Sequence, residues 1–289
     1  MTLFRKVSLT LVMGVIAAVM VFPIGVTFVN SLMTEGEIAH NYELIGKMFD
    51  TAAGGEEGFV NLKLIPDWLS FHQYMEVLVY KPVFLQMFWN SAGLVAPIIA
   101  GQVLVASMAG YAFAKLRFWG RDKLFVVYIM TMLMPFQVTL VPNYMMAQKL
   151  GLLNTASAII LPGIFSAFGV FMLRQFMLHI PNSYIEAAQM DGAGHLRIFY
   201  KIILPLIQPG IAGLIVLLFV DNWNMVEQPL IFLEDSFKQP LSLYLSRINE
   251  GARGVAFAAS VLYMTPMVLL FLYAESHFIE GIQLSGIKG

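Results

Sequence analysis

The longest uncharged stretch of the sequence is PVFLQMFWNSAGLVAPIIAGQVLVASMAGYAFA, residues 82–114, which lies between Lys81 and Lys115. A helix needs about 20 apolar residues to cross the hydrocarbon core of a bilayer. Only helices and closed barrels cross lipid, because lipid cannot pair with free backbone groups. The run is too long for a barrel strand and lacks the alternating pattern of one. It therefore predicts a transmembrane helix.

Further uncharged, apolar stretches of spanning length occur along the rest of the chain. They cover residues 7–34, 124–148, 150–173, 202–220 and 254–274. With 82–114 they predict six transmembrane helices in an all-α, polytopic, single permease domain over residues 1–289. Arg5 and Lys6 precede the first stretch as in a signal peptide, but its length and the lack of an A-x-A site predict an uncleaved helix.

The overall composition excludes several classes of protein. Hydrophobic residues make up 58% of the 289 residues and charged residues only 12%, far below the share in soluble domains. The formal net charge of -1 argues against a nucleic-acid-binding protein. The absence of cysteine excludes disulfides, thiolate metal sites and cysteine nucleophiles. We expect no catalytic residues and no metal site.

The distribution of Lys and Arg predicts the orientation of the chain. The short loop 115–123 carries the densest positive cluster, whereas the long segment 34–86 is acidic and its positive charges are dilute. Positive residues favour the cytoplasmic side, so both termini are expected in the cytoplasm and 34–86 outside. An amphipathic surface helix is predicted over 68–78. We interpret 36–62 as a surface that contacts an external binding protein or a partner permease.

The inner segment 179–205 is predicted to form two short helices joined by a hinge. Asn182 or Ser183 fits a helix N-cap, Gly192 fits the end of that helix, and Gly194 adds a second flexible point. A second helix is expected to begin near Leu196. From the residues alone, this segment is either a docking elbow or an ordinary amphipathic loop whose small residues merely pack.

The same segment contains a motif with fixed spacing: Glu-Ala-Ala, three residues, Gly, nine residues, Ile, one residue, Leu-Pro. The residues that match are Glu186, Ala187, Ala188, Gly192, Ile202, Leu204 and Pro205. This EAA motif resembles that of permease subunits of ATP-binding-cassette (ABC) importers. The carbohydrate branch with the maltose permease subunits is also similar at 135–142, 152–155, 160–162, 171–176, 223–224 and 286–289. Approximately residues 65–289 share the resemblance.

The resemblance implies a type I ABC importer permease fold in the bacterial cytoplasmic (inner) membrane. It implies two separate ATPase subunits that bind ATP and magnesium, with no cofactor in this chain. It also implies a second, homologous permease subunit and an extracytoplasmic solute-binding protein. The loop 179–205 would dock on an ATPase and couple ATP hydrolysis to transport. The residues expected to carry this coupling are Glu186, Ala187, Ala188, Asp191, Gly192, Ala193, Ile202, Leu204 and Pro205.

Polar residues within the spans are the candidates for contact with a carbohydrate. At 100° per residue, Asn224, Glu227 and Gln228 share one helix face, which Asp221 joins. An aromatic ring beside amides and carboxylates suits sugar recognition. The predicted substrate path therefore comprises Gln137, Asn222, Trp223, Asn224, Glu227 and Gln228. A different interpretation is that Asp221 and Glu227 are solvated or packing groups near the outer interface.

Other polar residues, and other functions, stay open at this point. Asn90, Ser91, Gln102 and Ser107 are expected to bond neighbouring helices. An ABC permease for a non-sugar solute is one alternative. An ion-coupled secondary transporter that uses Asp221 and Glu227 is another. A membrane-embedded enzyme is a third class, but the sequence has no recognisable catalytic motif. It also has no G-x-x-x-x-G-K-[ST] phosphate loop, so ATP would be bound elsewhere.

Overall fold

The structure is a computed structural model that describes residues 3–47, 61–245 and 253–286. Every regular element in these ranges is helical, which confirms the all-α prediction. In chain order the α-helices are α1 (Leu3–Ser31), α2 (Glu35–Lys47), α3 (His72–Met75), α4 (Pro82–Lys115), α5 (Arg121–Met130), α6 (Phe136–Lys149), α7 (Ser157–Ile164), α8 (Ala167–Leu178), α9 (Ser183–Met190), α10 (His195–Ile198), α11 (Leu204–Leu206), α12 (Gln208–Trp223), α13 (Glu227–Phe232), α14 (Leu241–Leu245) and α15 (Arg253–Gly286). Shorter π-helical and 3-10 turns cover Glu76–Tyr80, Thr131–Leu133, Phe199–Ile203 and Ser236–Lys238.

Four helical segments among the described residues are long and apolar enough to cross a membrane. They are Arg5–Ser31, Pro82–Lys115, Ser157–Leu178 and Arg253–Glu275. Each coincides with a predicted span. None of the apolar window in Arg5–Ser31 is buried within the chain, so its side chains are left for lipid or another subunit.

Two further predicted spans are bent pairs of helices. Arg121–Leu133 and Phe136–Lys149 meet at 97°, and His195–Leu206 and Gln208–Trp223 meet at 74°. The number of spans is six if each bent pair counts as one. The last residue of α6 is Lys149, so the boundary expected there between the third and fourth spans is confirmed.

Proline accounts for the first bend. Met134 is extended, with φ −75° and ψ 122°, and Pro135 follows it directly. The ring of a proline disfavours helical geometry in the residue before it, so the helix stops here and α6 begins in a new direction.

The chain divides into two compact units. The first comprises Met1–Gln86 and Tyr244–Thr265, and the second comprises Met87–Leu243 and Pro266–Gly289. The prediction of one permease domain over residues 1–289 stays a prediction.

The first unit has a small apolar core around Met33, Ile38 and Tyr42, with Phe257 packed against it. Outside the core, the Lys63 ammonium contacts the Glu37 carboxylate at 3.0 Å and also pairs with Asp67. Hydrogen bonds to these carboxylates raise the pKa of Lys63.

The surface helix predicted over 68–78 is shifted along the chain. Helical structure begins at His72 and extends through Tyr80. Gln73 and Val77 are buried, so this segment packs against its own unit on one side. The segment 36–62 was predicted to be a contact surface. Its residues 48–60 lie outside the described residues, and its first part belongs to α2.

The second unit is built around two apolar clusters. One contains the fully buried side chains of Leu173, Met177 and Ile203. The other contains Ile159 and Phe232. These clusters hold the helices that carry the candidate sites described below.

Candidate functional site

The second unit contains an open cavity of about 1150 Å³. Its wall comes from α4, α6, α12, α13, the 3-10 turn at Thr131–Leu133 and the break between α7 and α8. The polar residues of the wall are Gln102, Thr131, Thr139, Asn143, Ser166, Asp221, Asn222, Asn224, Glu227 and Gln228. Four of the six predicted substrate-path residues are therefore gathered in one cavity.

A helix break creates the polar side of this cavity. Asn222 and Asn224 each donate a 2.7 Å hydrogen bond to the carbonyl one turn earlier, at Leu218 and Val220. The helix α12 ends at Trp223, and α13 begins at Glu227. The expectation that Asn224, Glu227 and Gln228 share one face of a single helix is therefore wrong. The same break nevertheless brings both ends to the cavity wall.

Gln137 reaches the cavity through Glu227. Its Nε2 lies 3.4 Å from Oε1 and 3.3 Å from Oε2 of that carboxylate. Gln137 is not itself on the cavity wall, although Phe136 and Thr139 beside it are. The amide therefore orients the Glu227 carboxylate from the first turn of α6.

The Trp223 ring lies inside the unit and away from the cavity. It is 2% exposed, stacks on Phe219 with ring centroids 5.1 Å apart, and meets the edge of Phe88 at 5.5 Å. In this conformation the ring offers no face to a sugar. Its neighbours make it a packing residue at the end of α12.

The aromatic faces of the cavity come instead from residues that no sequence motif singled out. Phe136, Phe165 and Phe168 line it, and Phe165 is 68% exposed. The position of Phe165 in the break between α7 and α8 is a tertiary feature. No periodicity in the sequence marks it.

Gln102 is the most unusual polar group of the cavity. Its side chain is 2% exposed, yet its Nε2 has no hydrogen-bond partner in the described part of the chain. A Cβ on Gly169 would lie 3.1 Å from the Ala106 Cβ and 3.4 Å from this nitrogen, so the glycine lets α8 approach α4 closely beside the amide. The expectation that Gln102 bonds a neighbouring helix is therefore not met at this nitrogen.

Of the other polar residues of α4, Asn90 and Ser91 bond a neighbouring segment as expected, whereas Ser107 does not. Asn90 donates to the carbonyls of Phe237 and Gln239, at 2.6 and 3.1 Å. The Ser91 hydroxyl accepts a 2.8 Å hydrogen bond from the Leu241 amide. The Ser107 hydroxyl bonds the Val103 carbonyl within its own helix. Thus α4 secures the segment that follows α13.

The predicted coupling loop folds as two helices separated by a turn. Gly192 has φ +77°, a left-handed conformation that favours glycine, and follows α9 with one intervening residue. The next helix begins at His195, after Gly194 in extended geometry. The prediction of a helix, a glycine stop and a second helix is confirmed.

One face of this loop is anchored and the other is open. Ile185 and Ile198 are buried in the apolar core of the second unit. Ala188, Ala193, Ile202 and Leu204 are partly buried against the same core. The exposed motif residues are Glu186, Ala187, Asp191, Gly192 and Pro205. Beside them, Met190 is 89% exposed and Leu196 69% exposed. The loop therefore presents a low, partly apolar surface.

The end of α4 ties the loop in place. Lys115 Nζ donates to the Ile180 carbonyl at 2.5 Å and to Asn182 Oδ1 at 3.1 Å. The Tyr111 hydroxyl lies 3.3 Å from His195 Nδ1. Asn182 precedes α9 at its N-cap position but makes no capping hydrogen bond with its side chain, which accepts from Lys115 instead. Of the two N-cap candidates, Asn182 and Ser183, the structure places Asn182 at the N-cap, but a tertiary contact replaces its side-chain cap.

No group of three or more His, Asp or Glu side chains within the described ranges could hold a metal ion. The chemistry available in the cavity is hydrogen bonding, charge and aromatic contact.

Comparison with known protein families identifies the family of this chain. Residues 102–279 match the family described as binding-protein-dependent transport system inner membrane component. The chain belongs to this family. The match covers the cavity, the coupling loop and most of α15. It confirms the predicted ABC-importer permease.

Named relatives in this family are transport permeases. The chain is 32% identical to the arabinooligosaccharides transport system permease protein AraQ of Halalkalibacterium halodurans, over 80% of this chain and 84% of that protein. It is 32% identical to the lactose transport system permease protein LacG of Rhizobium radiobacter, over 70% and 75%. It is 28% identical to the sn-glycerol-3-phosphate transport system permease protein UgpE of Brucella abortus, over 95% and 94%.

The fold of this family member is also found among solved structures. A chain of a bacterial ABC transporter involved in the import of the acidic polysaccharide alginate aligns with a TM-score of 0.77 at 22% identity, over 95% of this chain and 96% of that one. A chain of a bacterial alginate ABC transporter, solved in complex with an alginate pentasaccharide-bound periplasmic protein, aligns with a TM-score of 0.53 at 18% identity, over 71% and 81%. These likenesses concern the fold.

Proposed function

We propose that this permease is one transmembrane subunit of an ATP-driven importer that carries a sugar or oligosaccharide across the bacterial inner membrane. The observation that carries the proposal is the cavity of about 1150 Å³, lined by amides, hydroxyls and carboxylates and placed among membrane-spanning helices. Polar groups within a membrane segment are costly and mark substrate pathways. The names of the arabinooligosaccharide and lactose relatives support a carbohydrate as the substrate.

The cavity wall suits a molecule with many hydroxyl groups. Asn222, Asn224 and Gln228 can donate to or accept from hydroxyls, and the Glu227 carboxylate accepts. Phe165 offers an exposed ring to the C–H faces of a sugar. Gln137 holds Glu227 in position. In this proposal, residues at the α12–α13 break bind the hydroxyl groups of the sugar, and the α7–α8 break contacts its apolar faces.

Energy for transport comes from partners in this proposal. Two ATPase subunits bind ATP and magnesium, and the surface formed by Glu186, Ala187 and the exposed Met190 and Leu196 docks on one of them. Small side chains permit close approach, and exposed apolar groups mark protein contacts. The chain itself performs no chemistry.

The proposed mechanism is alternating access. Closing of the ATPases on ATP pulls the coupling loops of two different, homologous permeases and moves their helices as rigid bodies around the cavity. The hydrogen bond between Lys115 and Asn182 carries this movement from α9 to α4, and α4 contributes Gln102 to the cavity wall.

The proposed orientation places both termini and loop 115–123 in the cytoplasm, with 34–86 outside. The concentration of Lys and Arg in 115–123 supports it. The substrate then arrives on an extracytoplasmic solute-binding protein. The structural neighbour solved with a periplasmic protein supports such a partner.

The test is uptake by the complete complex in proteoliposomes, measured with a panel of labelled oligosaccharides and with ATP hydrolysis in parallel. We expect uptake only when ATP is inside the vesicles and the binding protein and an oligosaccharide are present. A control complex lacks the phosphate-loop lysine of its ATPase subunits. Uptake that persists without ATP and collapses with an ion gradient would favour the secondary-transporter alternative. Uptake of sn-glycerol 3-phosphate in place of every sugar would contradict a carbohydrate substrate.

A further inference from the structure

The turn that joins α4 to α5 forms a small cavity of its own. This cavity of about 530 Å³ is lined only by consecutive residues, Arg117 to Lys123. Gly120 has φ +78° and reverses the chain there. The turn lies directly after the candidate span Pro82–Lys115 and directly at the start of the next apolar segment. It is therefore held at the level where the chain leaves and re-enters the membrane.

The turn carries uncompensated positive charge. Arg121 Nε and Nη2 donate to the two carboxylate oxygens of Asp122 at 3.0 and 3.3 Å, which neutralises this pair. Arg117 and Lys123 are both exposed, and within the described chain no carboxylate lies within 4.0 Å of either. Two cations thus flank the cavity and are available to an anion.

The turn also carries exposed aromatic and apolar surface. Trp119 is 97% exposed, and Phe118 next to it is 42% exposed. Leu124 and Val127, in the first turns of α5, are 54% and 61% exposed. Tryptophan is enriched at the membrane–water interface, where its ring meets the acyl boundary and its N–H stays wet. The apolar surface of α5 continues from the turn along a candidate membrane segment, as lipid contact requires.

We propose that residues 117–123 bind the phosphate of an anionic phospholipid headgroup, with Arg117 and Lys123 on the phosphate and the Trp119 indole between neighbouring lipids. A lipid fits better than a soluble anion because charge, indole and lipid-facing helix are contiguous. It fits better than a protein partner because the apolar part of the surface runs down a membrane segment. The inference rests on the membrane location in the proposed function and is independent of the substrate.

The experiment uses the full chain in nanodiscs of phosphatidylcholine with an increasing fraction of phosphatidylglycerol. Retained phosphatidylglycerol is counted by native mass spectrometry after release into detergent. Each surface cation contributes about a fivefold gain in binding to anionic lipid. We therefore expect R117Q/K123Q to weaken retention by roughly thirty-fold. The matched control R197Q/K201Q removes two exposed positive charges elsewhere in the same unit and should retain the lipid. Equal loss in both variants would overturn the site in favour of a general charge effect.

A second readout does not depend on lipid release. Brominated phosphatidylglycerol should quench the fluorescence of the wild-type chain more than brominated phosphatidylcholine does, and W119F should remove this difference. Circular dichroism and gel filtration check that each variant folds. If inorganic phosphate alone abolished the extra quenching by phosphatidylglycerol, the site would be one for a soluble anion and not for a lipid. Loss of Trp119 quenching on assembly with the partner subunits would show a protein contact instead. Either result would overturn the proposal, yet sugar uptake would still test the proposed function separately.

Discussion

Lys115 Nζ lies 3.1 Å from Asn182 Oδ1, so the last residue of α4 holds the N-cap residue of α9. The same ammonium bonds the Ile180 carbonyl. A hydrogen bond from a charged donor contributes about 1.5–3 kcal/mol, which makes this the strongest described polar link between α4 and the loop.

Replacing Lys115 with Met should separate ATP hydrolysis from transport. We expect the amount of sugar carried per ATP to fall about tenfold, which corresponds to losing about 1.4 kcal/mol of the link. N182A should have a smaller effect, since the Ile180 carbonyl still holds the ammonium. Uptake and hydrolysis in proteoliposomes give the ratio. K149M, which removes an exposed lysine outside the loop 179–205, serves as the control. An unchanged ratio in K115M would remove the tie from the mechanism.

The activity of Gly192 variants should depend on how well the new residue adopts a left-handed backbone conformation, and not on its size. A Cβ added there meets nothing within 4 Å, so the backbone conformation at φ +77° is what restricts the choice of residue. G192V places a β-branched residue in left-handed geometry, where it is strongly disfavoured, whereas Asn tolerates this region. We expect G192V to abolish ATP-dependent uptake and G192N to keep most of it, with membrane insertion normal in both. Equal activity of the two variants would disprove the turn requirement.

Gln102 should show opposite effects on stability and transport. Its buried Nε2 lacks a partner among the described residues, and such a group costs about 1–3 kcal/mol. Replacing it with Leu should therefore raise the thermal unfolding midpoint and raise the KM for sugar uptake about tenfold. S107A, on the same helix, should change neither markedly. A lower unfolding midpoint in Q102L would mean that the amide is satisfied within the fold.

Substitutions of Trp223 and Phe165 should distinguish a packing residue from a substrate-contact residue. Trp223 is 2% exposed against Phe219 and Phe88, so W223A should lower the free energy of unfolding by about 3 kcal/mol or more. Phe165 is 68% exposed in the cavity, so F165A should keep stability and raise KM. Thermal unfolding in detergent and uptake kinetics measure the two effects. The reverse assignment would restore Trp223 to the substrate path.

Several features of the site follow from sequence because they depend on local chemistry. Gly192 was predicted from its place after a helical segment, and its positive φ is the backbone state that glycine favours. The bend before α6 follows from Pro135, because a proline constrains the residue before it wherever it occurs. Neither inference needs knowledge of distant residues.

Features that depend on distant neighbours were missed or misassigned. Asn182 or Ser183 was expected to be the N-cap of α9. Asn182 takes that position, but its side chain accepts a hydrogen bond from Lys115, 67 residues away in sequence. Trp223 was expected to face a sugar, but two phenylalanine rings enclose it. Phe165 and Gln102 reach the cavity only because of how α4, α7, α8 and α12 pack.

The sequence by itself determined the all-helical class, the apolar spans and the coupling motif. The apolar spans can be recognised from sequence because a helix that crosses the bilayer needs about 20 residues without charge. The helical class can be recognised because a helix forms its backbone hydrogen bonds within its own segment. Only the tertiary structure decided which polar residues share the cavity and which lie in the core. The break between Trp223 and Glu227 moves side chains off one helix face, and the packed helices then select which of them reach open space.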